Sequence, residues 1–367
     1  MQIQRWEGTM TPKERVLLAM NREIPDRVPI NYMTNPTVHG KLAAALGIDP
    51  GDYEGVLEAL GVDFRGAHPP YIGPALFPDP GPERQVDPVY GFVTRWVENS
   101  DGGYWDFCDF PLQGADPETV AAFPVPNPDD YDYDRAIEAL RHYDGKGYAA
   151  HIGNAGITDI INSTGRVMGM EDTLMNLLTG DEATLTYIDR TLDMELQVMS
   201  RLLEKAKDSI SFLWLGEDLG TQHTPMISLE LYREVLRPRH ERFVDLGKAY
   251  DKPVMIHSCG SSSWAYNDFI EMGISVVDTL QPEAANMSPE YLKATYGDRL
   301  AFHGCISTAG PLAYGTPEEV VETVRHTLEV MMPGGGYMLS PTHAIQDNTP
   351  VENIVAMYNA AHRYGRY

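Results

Sequence analysis

Short apolar runs and longer amphipathic stretches alternate along most of this chain. Unbroken apolar runs read as strands buried on both faces, whereas apolar residues recurring every three or four positions read as helices with one buried side. The clearest run is Pro253-Val254-Met255-Ile256, which leads into His257-Ser258-Cys259-Gly260. Others start near Val28, Val62, Tyr148, Phe212, Val276, Leu300 and Tyr337, which predicts eight strands. Between them, helical spacing is plainest from Asp181 to Ala206, where Leu185, Ile188, Leu192, Leu196 and Met199 fall on one side. Further helices are expected over 40–46, 53–60, 161–178, 229–250, 264–272, 288–296, 317–331 and 351–362. An N-terminal helix is announced by Thr11-Pro12-Lys13-Glu14, with a capping threonine, proline at the first helical position and glutamate to close a capping box.

Strands separated by helices run parallel, and eight such units fit a closed (β/α)₈ barrel better than an open sheet. A nucleotide-binding sheet lacks its signature, since no Gly-x-Gly-x-x-Gly follows the first strand and no Walker-type loop is present. Gly334-Gly335-Gly336 precedes a strand and reads as a turn. From Pro69 to Asp132 the rhythm is lost among prolines, glycines and aspartates, apart from a helical turn over 117–123. Within that stretch, 90–97 and 103–107 predict the two strands of a hairpin. The expected α/β architecture is one TIM barrel domain over 1–367, with an N-terminal helical extension and the 69–132 insertion over the barrel mouth.

Charge narrows the partners. Acidic residues outnumber basic ones 53 to 28, a net charge of −25, which disfavours nucleic acid and anionic membrane surfaces. Cys108, Cys259 and Cys305 are too few and too scattered for a disulfide framework, and read as reduced thiols of a cytoplasmic protein. No run of about 18 apolar residues occurs and Met1 to Lys13 has no apolar leader segment, so neither membrane spanning nor secretion is expected. A homo-oligomer is compatible with the sequence.

Candidate chemistry gathers where the apolar runs stop. Successive strand residues point to opposite faces, so His257 and Cys259 share one, and an imidazole beside a thiolate suits Zn²⁺. A barrel brings all its strand ends to one face. The ends here carry Asn31 and Tyr32, His151 and Asn154, Glu217 and Asp218, His257 and Cys259, Gln281, Cys305 and His343. Cys305 and His343 are alternatives for the third metal ligand, and Glu217 is a candidate for the open position until substrate displaces it.

Several of these residues sit in longer motifs. Met10-Thr11-Pro12-Lys13-Glu14-Arg15, Pro25-Asp26-Arg27-Val28-Pro29 and Gly216-Glu217-Asp218-Leu219-Gly220-Thr221-Gln222 are followed by His257-Ser258-Cys259-Gly260, His303-Gly304-Cys305-Ile306 and Ser340-Pro341-Thr342-His343. Together they resemble the uroporphyrinogen decarboxylase superfamily. The resemblance implies a (β/α)₈ barrel and one of two activities. The decarboxylases use an arginine-rich N-terminal segment and an aspartate in a glycine-rich motif; Tyr32-Met33-Thr34-Asn35-Pro36 and Ser307 stand at those places here.

The other branch, the cobalamin-dependent methyltransferases, is similar in its His-x-Cys zinc pair. Its members acting on coenzyme M carry a third cysteine where His343 stands in this chain. The resemblance therefore implies a zinc-dependent enzyme moving a methyl group from a small methylated donor, such as an O-methyl compound, to the corrinoid (cobalamin) of a separate protein. Glu217 and Asp218 are expected as catalytic carboxylates, and Tyr32, Asn154, Gln222 and Gln281 as substrate-binding residues. A methylcorrinoid:thiol or tetrahydrofolate methyltransferase, a decarboxylase and a non-catalytic ligand-binding barrel are the alternatives.

Overall fold

The computed structural model describes residues 1–79, 81–99 and 102–367. A seven-stranded parallel sheet forms its centre, in the order β1 (Phe64–Gly66), β5 (Ala149–Gly153), β6 (Phe212–Gly216), β7 (Val254–Ser258), β8 (Val276–Thr279), β9 (Ala301–Ile306) and β10 (Tyr337–Pro341). From β5 to β10 every strand residue is buried, as the unbroken apolar runs predict. Register sets Gly216 opposite His257, His257 opposite Asp278 and Asp278 opposite His303, one row across four strands.

The segment expected to be the first strand is reduced to a single parallel bridge, Ile30 to Leu339. Pro29 has no N–H to give, and the Ile30 N–H goes to the Asp63 side chain at 2.7 Å. Its carbonyls still bond on both sides: Leu339 donates to Pro29, and Asp63, the residue before β1, donates to Ile30. Both edges of the sheet therefore meet at this segment. Asp63 is fully buried and also accepts from the buried guanidiniums of Arg15, at 2.6 Å, and Arg27, at 2.8 and 3.0 Å. Arg15 lies on the helix Pro12–Met20, whose capping box is formed by Thr11 and Glu14.

Within 69–132, β2 (Gln85–Val86), β3 (Val93–Asn99) and β4 (Gly102–Cys108) make an antiparallel sheet in which Trp96 packs edge-on against Trp105. Two expected helices are interrupted. The first stops at Met168 and restarts at Met170, because Gly169 takes φ +81°. The second holds a π turn, Tyr232–Leu236, between Leu229–Leu231 and Arg237–Ala249. Among the described residues two α-helices are additional: the short Pro311–Tyr314, and Tyr133–Gly145, which Asp132 caps and which buries Ala136, Ile137 and Leu140.

Removing the carboxylate that joins these parts leaves the buried Arg27 without a counter-charge and Arg15 with Asp26 alone. We expect Asp63→Ala to cost about 3–5 kcal/mol of unfolding free energy, measured by urea denaturation.

Candidate metal centre

The ends of β6 and β7 are tied together before any side chain is considered. Glu217 N–H donates to the His257 carbonyl and Ser261 N–H to the Thr221 carbonyl, so residues 217–221 run against 257–261. Gly260 takes φ +70° with its α-carbon against the Gly220 carbonyl, an approach that a Cβ would block. Cys259 N–H donates to Asp218 Oδ1 at 2.7 Å, and Asn162 Nδ2 holds Asp218 Oδ2 at 2.9 Å.

This arrangement gathers three candidate ligands. His257 Nε2 lies 3.3 Å from Cys259 Sγ and 3.7 Å from Asp218 Oδ1, and one ligand atom of each residue lies within 4.8 Å of the others. Tetrahedral zinc with bonds of about 2.0–2.3 Å separates its ligand atoms by roughly 3.3–3.8 Å. The distances of the imidazole from the thiol and from the carboxylate match that spacing, and the three groups fit Zn²⁺ with a fourth position open.

Charge inside the group is finely opposed. Burial works against a proton on His257, yet the hydrogen bond from its Nδ1 to Asp278 Oδ2, 2.7 Å, and the adjacent Cys259 raise its pKa well above 6.5. Burial raises the Cys259 thiol, with His257 pulling the other way. A bound metal would displace the proton shared between Nε2 and Sγ.

Other expected site residues fall elsewhere. Glu217 does not enter the mouth: alternation turns it to the opposite face from Asp218, where it is fully buried and accepts from the Ile160 and Ile161 amides at 2.9 and 3.1 Å. Those amides open the helix Ile160–Met168, and His240 Nε2 lies 3.1 Å from the same carboxyl. Burial drives the Glu217 pKa well above 4.5, against the pull of those two amides, and the residue braces that helix rather than facing the site.

Cys305 and His343 do not join the group. Gly304 and Cys305 leave the extended region at φ +124° and +71°, which breaks the alternation that would have put Cys305 on the face of His303. Its buried thiol, with a pKa raised by burial, lies instead near Tyr266 and Tyr337. His343 is exposed on the loop after β10, beside the Ala344 carbonyl.

Among the expected substrate-binding residues, Tyr32 lines a cavity of about 510 Å³ beside β1, β5 and β6, together with Phe64, His151 and Trp214. Asn154 lines a smaller one of about 120 Å³, closed by Tyr90 and Tyr131 of the 69–132 segment. Gln281 accepts from Gly260 N–H at 2.6 Å and braces the metal loop, and Gln222 is exposed, with its carbonyl accepting from Ala285. Sequence reasoning passed over Asp278 and His303, although a charged residue inside an apolar strand is a usable signal for a site. Glu195 is a further acid, on the wall of the 120 Å³ cavity, accepting from Thr158 N–H at 3.0 Å, with burial pushing its pKa up to about 8.

Comparison with known proteins matches residues 149–364 to the uroporphyrinogen decarboxylase (URO-D) family. Methylcobamide:CoM methyltransferase MtbA of Methanosarcina acetivorans is 26% identical over 192 residues, 52% of each chain. Uroporphyrinogen decarboxylase of Mannheimia succiniciproducens is 21% identical over 202 residues, 51% of this chain and 54% of that one. The chain thus spans about half the length of the curated relatives it matches. A solved methyltransferase from Methanosarcina mazei shares the fold, with a TM-score of 0.64 at 17% identity over 97% of this chain and 99% of that one.

The raised pKa of Glu195 has a consequence for stability. An unfolded chain releases this proton near 4.5 and the folded protein only near 8, so stability falls as pH rises between those values. Glu195→Gln keeps the acceptor for Thr158 and removes the titration. The drop in thermal midpoint between pH 6 and pH 8 should be smaller in the variant than in the parent protein.

Proposed function

Because the chain belongs to the uroporphyrinogen decarboxylase (URO-D) family, we propose that it is a zinc-dependent methyltransferase moving a methyl group from a small methylated donor to the cobalt of a separate corrinoid protein. The observation that carries this reading is the Asp218, His257 and Cys259 group, with its donor atoms at the spacing of a zinc site. Similarity to proteins named methylcobamide:CoM methyltransferase supports the same branch of the family. In this reading, residues 28–31 complete a closed barrel within one domain over 1–367, with the 69–132 insertion over its mouth.

Zinc held by Asp218, His257 and Cys259 would supply Lewis acidity, either to polarise a methyl–oxygen bond or to lower the pKa of a bound thiol. Around it, the chain's own residues position and exclude. Asn162 and the Cys259 N–H hold Asp218 in place. The 510 Å³ cavity mixes the rings of Tyr32, Tyr53, Phe64, Tyr143, His151 and Trp214 with the polar groups of Asn31, Asp52 and Glu54, a lining that suits a small donor carrying both an apolar body and a polar group.

That cavity also argues against a polycarboxylate. Arg65 is the one cation among the described residues lining it, and its guanidinium is held at two points by Glu54, both contacts at 2.9 Å, and capped by the Phe64 and Val62 carbonyls. Asp52 and Glu54 add negative charge, while burial lowers the His151 pKa to about 3 and keeps that ring neutral. An uncharged or cationic donor is accommodated; a porphyrinogen bearing many carboxylates finds no counter-ion. A methylcorrinoid:thiol or tetrahydrofolate reaction is the second reading, favoured by the thiol acceptor in the relatives' names.

Protein purified without chelator should contain about one zinc per chain, and methylated donors offered with reduced corrinoid protein should give the Co(I) to methyl-Co(III) absorbance change. Loss of an outer-shell partner alone costs about 10–100-fold, so removing a ligand by His257→Ala should abolish zinc retention and slow transfer by more than ~100-fold. A metal-free protein whose His257→Ala variant is unchanged would sink this function.

A further inference from the structure

We propose that Asp278, His303 and Asn31 are positioning residues that fix His257 as its Nδ1–H tautomer and connect this metal ligand to the wall of the 510 Å³ cavity. The inference rests on the metal site proposed above, and each contact gives the next its direction.

Asn31 Oδ1 accepts from Tyr32 N–H at 2.8 Å, which fixes the amide and turns its NH₂ toward His303 Nε2, 3.2 Å away. His303 Nε2 must then accept, so its proton sits on Nδ1. That nitrogen lies 2.5 Å from Asp278 Oδ1. The other Asp278 oxygen is 2.7 Å from His257 Nδ1. An ionised carboxylate only accepts, so His257 also carries a proton on Nδ1, which leaves Nε2, on the side of Cys259 and Asp218, as the nitrogen a metal would take. Thr279 Oγ1, 2.5 Å from the same Nδ1, flanks that side of the ring.

Burial makes the chain obligatory. Asp278 and His303 are fully buried, so neither has water as an alternative partner. Phe64 and Trp214 pack edge-on against the His303 ring, at centroid distances of 5.4 and 5.8 Å, and line the cavity as Asn31 does. The last donor of the chain is thus part of the wall of the space where the methyl donor is proposed to bind.

Two measurements test this. In the zinc-loaded parent protein labelled with ¹⁵N-histidine, long-range ¹H–¹⁵N spectra should show His257 and His303 protonated on Nδ1; an Nε2 proton on His303 overturns the inference without needing any variant. Chelator competition should show Asp278→Asn binding zinc about 10–100-fold more weakly than the parent protein. Its cobalt-loaded form should keep the thiolate-to-cobalt charge-transfer band and shift the ligand-field bands. His303→Phe, which keeps the packing against Phe64 and Trp214, should weaken zinc several-fold. Unchanged zinc affinity and cobalt spectra in folded variants overturn the inference and leave the metal site standing. Absence of zinc binding by the parent protein overturns the proposed function instead.

Discussion

A carboxylate with no access to water must find its hydrogen-bond donors inside the protein, and Asp278 finds two imidazoles. Burial favours its neutral form, but His257 at 2.7 Å on one oxygen and His303 at 2.5 Å on the other outweigh it, and its pKa falls below the usual carboxylate range. Removing either ring would leave a buried charge short of a partner, a large penalty in a low-dielectric interior. The metal-binding face of His257, the packing of His303 between Phe64 and Trp214, and part of the wall of the 510 Å³ cavity all follow from that one group.

Sheet register makes this contact possible. Parallel pairing sets Gly216, His257, Asp278 and His303 in one row, and period-two alternation sends their side chains to the same face. Beyond the row the backbone is no longer regular. Thr279 and Leu280 adopt φ +89° and +54°, Cys305 φ +71°, costly conformations for residues with a Cβ. At Thr279 the irregularity accompanies a hydroxyl placed against His257; at Cys305 it carries the thiol away from the site.

These irregularities mark the limit of what the sequence can reveal. Alternating strands and helices were legible because the runs are long and wholly apolar, and His257 and Cys259 were legible because two residues of extended chain share a face. The third member of the group was not. Glu217 and Asp218 are adjacent acids, and which of them faces the mouth depends on the phase of β6, which motif reading leaves open. Cys305 was misplaced by two positive φ angles, and the helix Tyr133–Gly145 was hidden behind the proline- and aspartate-rich stretch before it.

The central claim is that Asp218, His257 and Cys259 form a zinc site with a single sulfur ligand. Zinc K-edge X-ray absorption of the metal-loaded protein counts those ligands directly. One sulfur at about 2.3 Å, with an imidazole and further nitrogen or oxygen at about 2.0–2.2 Å, is the predicted result. Two sulfur scatterers would bring Cys305 into the site and contradict the account, as would a zinc shell with no sulfur at all.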